Sequence, residues 1–283
     1  MDNISIGIAS YGDQPADWWE WLAWMCSMLH TEDINLVSIE TARSMNTAGN
    51  RNRIVNAFLG RKGKNIADWL YWIDTDNITP AGGIRRLLDD RKEIVNGLYY
   101  QKSKEELPVA YMKTEFNHYE PITNWTRGEL IPVAAAGMGA TLVNRCVYEK
   151  IEEEFVVLQR HTGGVTCIHK DDIKGKIFKE PAKDGPKMVD GYLRERLITP
   201  TYDYKFFPHY ILEYGRTEDM LFYENALQVG FVPYVDTMVE VDHLYWSKKT
   251  GATHRQAVRE SKISIPQMTE YLDVELLEVS NDN

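Results

Sequence analysis

Asp74 and Asp76 stand two residues apart at the end of an apolar run, Asp68-Trp69-Leu70-Tyr71-Trp72-Ile73. In extended backbone, residues two apart point the same way, so both carboxylates can share one hard cation. Aspartates are also ordinary turn residues. The weight here comes from the buried strand ahead of the pair and the capped helix after it. His243 ends a second strand-like segment, Phe231 to Val241. A neutral imidazole there can complete a Mn²⁺ or Mg²⁺ shell, leaving positions for diphosphate oxygens and water. Asp242 is an alternative ligand, and a histidine ordered by hydrogen bonds near a strand end is the plainer reading. Glu218-Asp219 opens a helix, where capping and the helix dipole favour carboxylates anyway. Beside a cleft, such a carboxylate can also take the proton of an attacking hydroxyl.

The elements that must position these groups follow from periodicity. Ile4 to Ala9 reads as a buried strand, Tyr11-Gly12-Asp13 as a turn, and Pro15 as the first turn of a Trp-rich helix. Asn35 to Ile39 is a second strand. Asn50 to Leu59 is a helix with Ile54, Val55 and Phe58 on one face. After the Asp68 strand, Thr79 caps a helix with Pro80 at its first position and Ile84, Leu87 and Leu88 as its stripe. Glu93 to Tyr100 and Val109 to Lys113 are strands, and Ile131 to Gly139 is a small-residue loop that permits close backbone approach. Val147 to Phe155 is helical, Gly163 to Pro200 is a mobile insertion with weak periodicity, and Glu218 to Val229 is a helix stopped by Gly230. Early βα units followed by mixed strands make an α/β fold whose open, mostly parallel sheet binds ligands at the carboxyl ends of its strands.

The chain of 283 residues is 43% hydrophobic and 26% charged, which excludes disordered and membrane classes. Its net charge of -10 makes general attraction to polyanions unfavourable, so a nucleic-acid partner would rely on the basic stretch from Lys248 to Lys262. Cys26, Cys146 and Cys167 lack zinc or dithiol spacing and read as free thiols in a reducing cytoplasm. No segment reads as a leader or membrane span. Trp18, Trp19, Trp21 and Trp24 can stack sugars or bases, but four in one helix fit a core or an oligomer face better.

In order along residues 4 to 246, Arg51-Asn52-Arg53-Ile54-Val55, Trp72-Ile73-Asp74-Thr75-Asp76, Ala136-Gly137-Met138-Gly139-Ala140, Thr217-Glu218-Asp219 and Val241-Asp242-His243 resemble the metal-dependent GT-A-fold glycosyltransferases, particularly the small family-2-like enzymes of bacteriophages. The resemblance implies a GT-A-like open mixed sheet flanked by helices over residues 1–246, with an insertion near 163–200 and a C-terminal tail at 247–283. It implies sugar transfer from a nucleoside diphosphate donor, UDP being the expected nucleotide, to the hydroxyl of a glycan or of a hydroxymethylated pyrimidine in phage DNA. Asp76 would bind the Mn²⁺ or Mg²⁺ directly, Asp74 would be a ligand or contact the donor's ribose, and His243 would be the third ligand. Ser10, Tyr11 and Asp13 would hold the base, and Arg53 would face the donor. Thr75 would join Asp74 on the donor side, and Gly137 to Gly139 would line the sugar. Asp219, with Glu218 beside it, would be the base of an inverting reaction, although the motifs leave the stereochemical outcome open. Lys248 and Lys249 would close over the diphosphate or else belong to a solvated tail.

Two other readings compete. Asp74-Thr75-Asp76 also looks like the nucleophile strand of haloacid-dehalogenase-type phosphatases, although here two βα units precede it. A noncatalytic carbohydrate-binding protein on the same scaffold is the third.

Overall fold

A computed structural model describes residues 1–10, 14, 16–43, 46–63, 66–102, 106–115, 118–159, 165–173, 188–189, 192–193, 205–207 and 217–243. Contacts divide the chain at His243 into Met1–His243, which is compact, and a second unit, Leu244–Asn283. The second, which holds Lys248 and Lys249, lies outside the described residues.

The first half alternates strand and helix: β1 (Asp2–Ser10), α1 (Ala16–Thr31), β2 (Ile34–Arg43), α2 (Thr47–Gly60), β3 (Trp69–Ile73), β4 (Asn77–Ile78), α3 (Gly83–Asp89) and β5 (Ile94–Leu98). Then come β6 (Ala110–Lys113), β7 (Tyr119–Pro121), β8 (Leu130–Pro132), β9 (Ala135–Ala136), β10 (Ala140–Asn144) and α4 (Arg145–Glu154). The rest comprises β11 (Phe155–Gln159), β12 (Val165–His169), β13 (Met188–Val189), β14 (Tyr192–Leu193), α5 (Glu218–Gln228), β15 (Tyr234–Glu240) and β16 (Asp242–His243).

Seven strands form the central sheet in the order β2-β1-β3-β10-β5-β15-β8. β2, β1, β3, β5 and β15 run one way and β10 and β8 the other, so the sheet is mixed and mostly parallel, as expected. Both faces are covered. Along β3, Tyr71 turns to the side of α1 and α3 while Trp72 turns to the side of α2, α4 and α5, the alternation that extended backbone imposes. On the first side Ile4, Ile6 and Ile8 meet Trp18, Leu22 and Leu87; on the second, Trp72 meets Ile54, Phe58 and Phe222. Trp18 and Trp21 are therefore core residues, whereas Trp19 is 48% exposed.

Local signals set the helix starts. Asn46 caps α2 by accepting from Gly49 N at 3.2 Å, and Thr217 caps α5 by accepting from Met220 N at 3.5 Å. Three expectations change. α3 starts at Gly83 behind Gly82, whose φ of 72° suits glycine, while Thr79 is buried and shares a 2.5 Å hydrogen bond with the Tyr71 hydroxyl. At the start of the supposed small-residue loop, Ile131 and Pro132 belong to β8, which joins the sheet edge beside β15, a place where proline's missing N–H is tolerated. Val165–His169, inside the supposed irregular insertion, pairs with β11; its β-branched run suits a strand. Most of the remaining insertion lies outside the described residues.

Candidate functional site

The Asp74–Asp76 turn closes β3 at the carboxyl edge of the sheet. Asp74 N donates to Gly139 O at 3.2 Å and Asn77 N donates to Asp74 O at 3.1 Å, so the turn is pinned against the residue before β10. Antiparallel pairing of β16 with β4 matches His243 to Asn77. The imidazole thereby arrives beside Asp76.

His243 Nδ1 lies 2.7 Å from Tyr100 O. A carbonyl only accepts, so Nδ1 carries the proton, and a neutral ring keeps its lone pair on Nε2. Nε2 stands 3.7 Å from Asp76 Oδ2, and Lys102 Nζ reaches that same oxygen at 2.5 Å. The Tyr99 ring packs edge-on against the imidazole with centroids 5.5 Å apart. Desolvation tends to raise the Asp76 carboxyl, but its interactions with His243 and the Lys102 ammonium outweigh it and hold the group below its ordinary range.

Across the cleft, Arg51 of α2 is 3% exposed and serves three carboxylates. Its Nη2 is 3.4 Å from Asp74 Oδ1, its Nη1 is 3.2 Å from Glu218 Oε1, and Nη1 also bonds Asp219 Oδ1. The guanidinium lies over the Phe207 ring at 5.7 Å. Burial works against its charge, but Asp74 and Glu218 more than compensate, so its pKa moves up. The Asp74 carboxyl is also raised, first by desolvation and then by Asp76, with Arg51 pulling the other way. Four carboxylates, Asp74, Asp76, Glu218 and Asp219, thus face two fixed cations, Arg51 and Lys102.

The small residues lie where backbone must come close. A Cβ at Gly137 would strike the Tyr99 hydroxyl and Val109, and one at Gly139 would strike the Asn77 amide and the Asp74 carboxylate. Gly139 N donates to the Tyr99 hydroxyl at 3.1 Å, and Met138 N donates to Asp219 Oδ2 at 3.4 Å. Beside them opens a cleft of about 490 Å³ lined by Asp74, Asp76, His243, Gly137 and Asp219, with Tyr111 and Met220 as an apolar side.

The other expected residues are distributed as follows. Thr75 lies in the turn, Gly139 is buried behind the cavity wall, and Glu218 bonds Arg51. Ser10 ends β1, its carbonyl accepting from Asn50 Nδ2 at 3.3 Å, and does not line the cavity. Arg53 is exposed on α2 and does not line it either; the arginine among the carboxylates is Arg51. Tyr11 and Asp13 lie outside the described residues. Asp242 is exposed, paired with Ile78, and likewise not a cavity residue. Among the described residues no group of three His, Cys, Asp or Glu side chains is placed to hold a metal ion. The donor set that does fit a divalent cation is smaller: Asp76 and His243, one anionic oxygen and one free imidazole nitrogen.

Sequence reasoning passed over Arg51, Lys102 and Tyr99. Arg51 had a signal: it precedes Ile54 and Val55 by three and four residues and so shares their buried face. Lys102, in the connection after β5, had none.

No protein-family model matches the sequence, and no curated protein matches it. Solved structures similar to the chain include A197 from STIV, with a TM-score of 0.45, 15% identity and 87% of each chain covered. GalNAc-T7 with UDP, GalNAc and Mn²⁺ gives a TM-score of 0.45 and 10% identity over 87% of this chain and 44% of that one. The catalytic domain of Drosophila β1,4-galactosyltransferase 7 in complex with xylobiose gives 0.40 and 10% over 93% and 82%. Among the described residues no helix is long and apolar enough to cross a membrane.

Proposed function

We propose that this cleft transfers a sugar from a nucleoside diphosphate donor, a UDP-sugar, to an acceptor hydroxyl with the help of Mn²⁺ or Mg²⁺. The observation that carries the reading is the pairing of an imidazole nitrogen with a carboxylate oxygen, His243 Nε2 and Asp76 Oδ2 at 3.7 Å, in a cleft where, among the described residues, carboxylates outnumber fixed cations. Such a pair is suited to a divalent cation, which when bound would offset the charge growing on the leaving diphosphate.

The chain's own groups account for the rest. Asp74, held by Arg51, sits on the donor side of the turn, and the glycine segment lets the sugar approach the backbone closely. Asp219, at the start of α5 and lining the same cavity, takes the acceptor's hydroxyl proton in a transfer that inverts the anomeric centre. Arg51 holds that carboxylate in place from behind. The apolar side at Tyr111 and Met220 suits a sugar ring face or a pyrimidine. The acceptor is accordingly a glycan or a hydroxymethylated pyrimidine in DNA.

As a haloacid-dehalogenase-type phosphatase the chain would need Asp74 as its nucleophile, yet Asp74 follows β3, with two βα units ahead of it. Donor hydrolysis and transfer tested with UDP-sugars and Mn²⁺ decide the matter. Release of UDP that depends on metal and disappears in Asp76→Ala is the expected result. Binding of donor without turnover on a broad acceptor panel would identify a sugar-binding protein, and phosphate release from simple phosphoesters would favour the phosphatase.

A further inference from the structure

Among the described residues, Lys102 is a cation of the cleft that the proposed reaction leaves without a task. Gln101 N donates to Leu107 O at 2.8 Å and Val109 N to Tyr99 O at 2.9 Å, so the two limbs of the connection between β5 and β6 are tied together just below Lys102. From that base the ammonium reaches Asp76 Oδ2 at 2.5 Å, the same oxygen that lies 3.7 Å from His243 Nε2. The ion pair is partly open to solvent, Lys102 being 30% and Asp76 31% exposed. A contact of this kind is weak enough to exchange.

We propose that Lys102 is a tethered placeholder: it neutralises Asp76 while the metal position is empty, gives that oxygen up to a divalent cation, and then binds the diphosphate of the donor. The inference rests on the metal reading of Asp76 and His243. The geometry supports the first half directly, because an ammonium in contact with Asp76 Oδ2 competes for the oxygen that a cation shared with His243 would use. The second half follows from reach. Lys102 lines the cavity with Asp76 and His243, so once off the carboxylate its charge would stay in the same cleft, within reach of a diphosphate held there. An ammonium is a strong point-charge partner for such oxygens. Lys102 is therefore a donor-binding residue that trades one anionic partner for another.

Lys102→Met separates the two roles because it should move two affinities in opposite directions. Mn²⁺ binding to the full chain, followed by electron paramagnetic resonance without any nucleotide, should tighten about fivefold, the scale of a partly exposed ion pair. Pyrophosphate and UDP binding at saturating Mn²⁺ should weaken about tenfold in the same variant, on the scale of a lost charge-assisted hydrogen bond. Lys102→Arg, which keeps the charge, should stay near the parent protein in both. Unchanged Mn²⁺ affinity in Lys102→Met, or unchanged pyrophosphate affinity, overturns the inference while leaving the metal reading intact if Asp76→Ala still loses Mn²⁺. If the parent protein binds no Mn²⁺ that depends on Asp76, the metal reading fails and the inference falls with it.

Discussion

His243 Nε2 lies 3.7 Å from Asp76 Oδ2 because two short strands, β16 and β4, pair in the register that sets His243 opposite Asn77. His243→Gln keeps a polar side chain of similar reach but no imidazole lone pair held in place by the Tyr100 carbonyl. We expect Mn²⁺ affinity to fall at least about tenfold, with donor turnover falling alongside. Isothermal calorimetry with Mn²⁺ measures it. Affinity equal to that of the parent would remove His243 from the metal site.

Asp219→Asn should leave UDP binding within about twofold and lower kcat for transfer by roughly 10²–10⁴, the usual contribution of a positioned base. Arg51 and Met138 N reach different oxygens of the carboxylate, so the amide oxygen keeps the contact with Arg51 and gives up the longer one from Met138 N. A rise in KM with kcat unchanged would assign Asp219 to binding instead.

Arg51→Met would leave Asp74, Glu218 and Asp219 facing one another without their shared cation. We expect a loss of about 3 kcal/mol in unfolding free energy, the scale of breaking a buried ion pair. Arg51→Lys should recover only part of it, since an ammonium cannot span three carboxylates as a planar fork does. Urea unfolding of both variants is the measurement, and a loss below about 0.5 kcal/mol would show that the cluster is held by other means.

Asp90, which follows α3, provides a pH test away from the cleft. Desolvation, aided by the neighbouring Asp236 carboxylate, pushes its carboxyl up to about 6 from an ordinary 3.8. Between those values the folded chain keeps a proton that the unfolded chain has released, so stability falls as pH rises from about 4 to about 6 and levels off above that. Asp90→Asn should flatten this slope and stabilise the protein at pH 7.5 by about 1 kcal/mol. Thermal unfolding at pH 5 and pH 7.5 reads both effects, and equal slopes in parent and variant would refute the assignment.

Gly139→Ala tests the close approach of backbone and turn. Its Cβ would push into Asn77 and Asp74. We expect kcat to drop at least about tenfold, because small misplacements at a reacting centre are costly. Wild-type turnover in that variant would mean that the turn can shift without consequence.

The early βα units were readable because their apolar residues recur with clear strand and helix periods, as Ile4, Ile6 and Ile8 in β1 and Ile54, Val55 and Phe58 in α2 show. The carboxyl-edge rule for open sheets located Asp74 and Asp76, and a strand ending at His243 brought that residue to the same edge. The Arg51 cluster was harder to read. The helix pattern places Arg51 on the buried face of Ile54 and Val55, but the carboxylates that neutralise it there come from β3 and α5, far apart in the chain. Thr79 was misread as a cap because the signal that starts α3, a left-handed Gly82, looks like any turn glycine. The β11–β12 hairpin was hidden by the Lys, Asp and Gly content around it.

Asn52 of α2 accepts from Phe206 N at 3.0 Å and Phe207 N at 3.2 Å, while its amide donates to Phe207 O at 2.7 Å. Phe207 lies against the Arg51 guanidinium, so the bonds that fix Phe207 to Asn52 also seat an aromatic face on the cation one position earlier in α2. A contact made 155 residues further along the chain thereby braces the charge balance of the cleft.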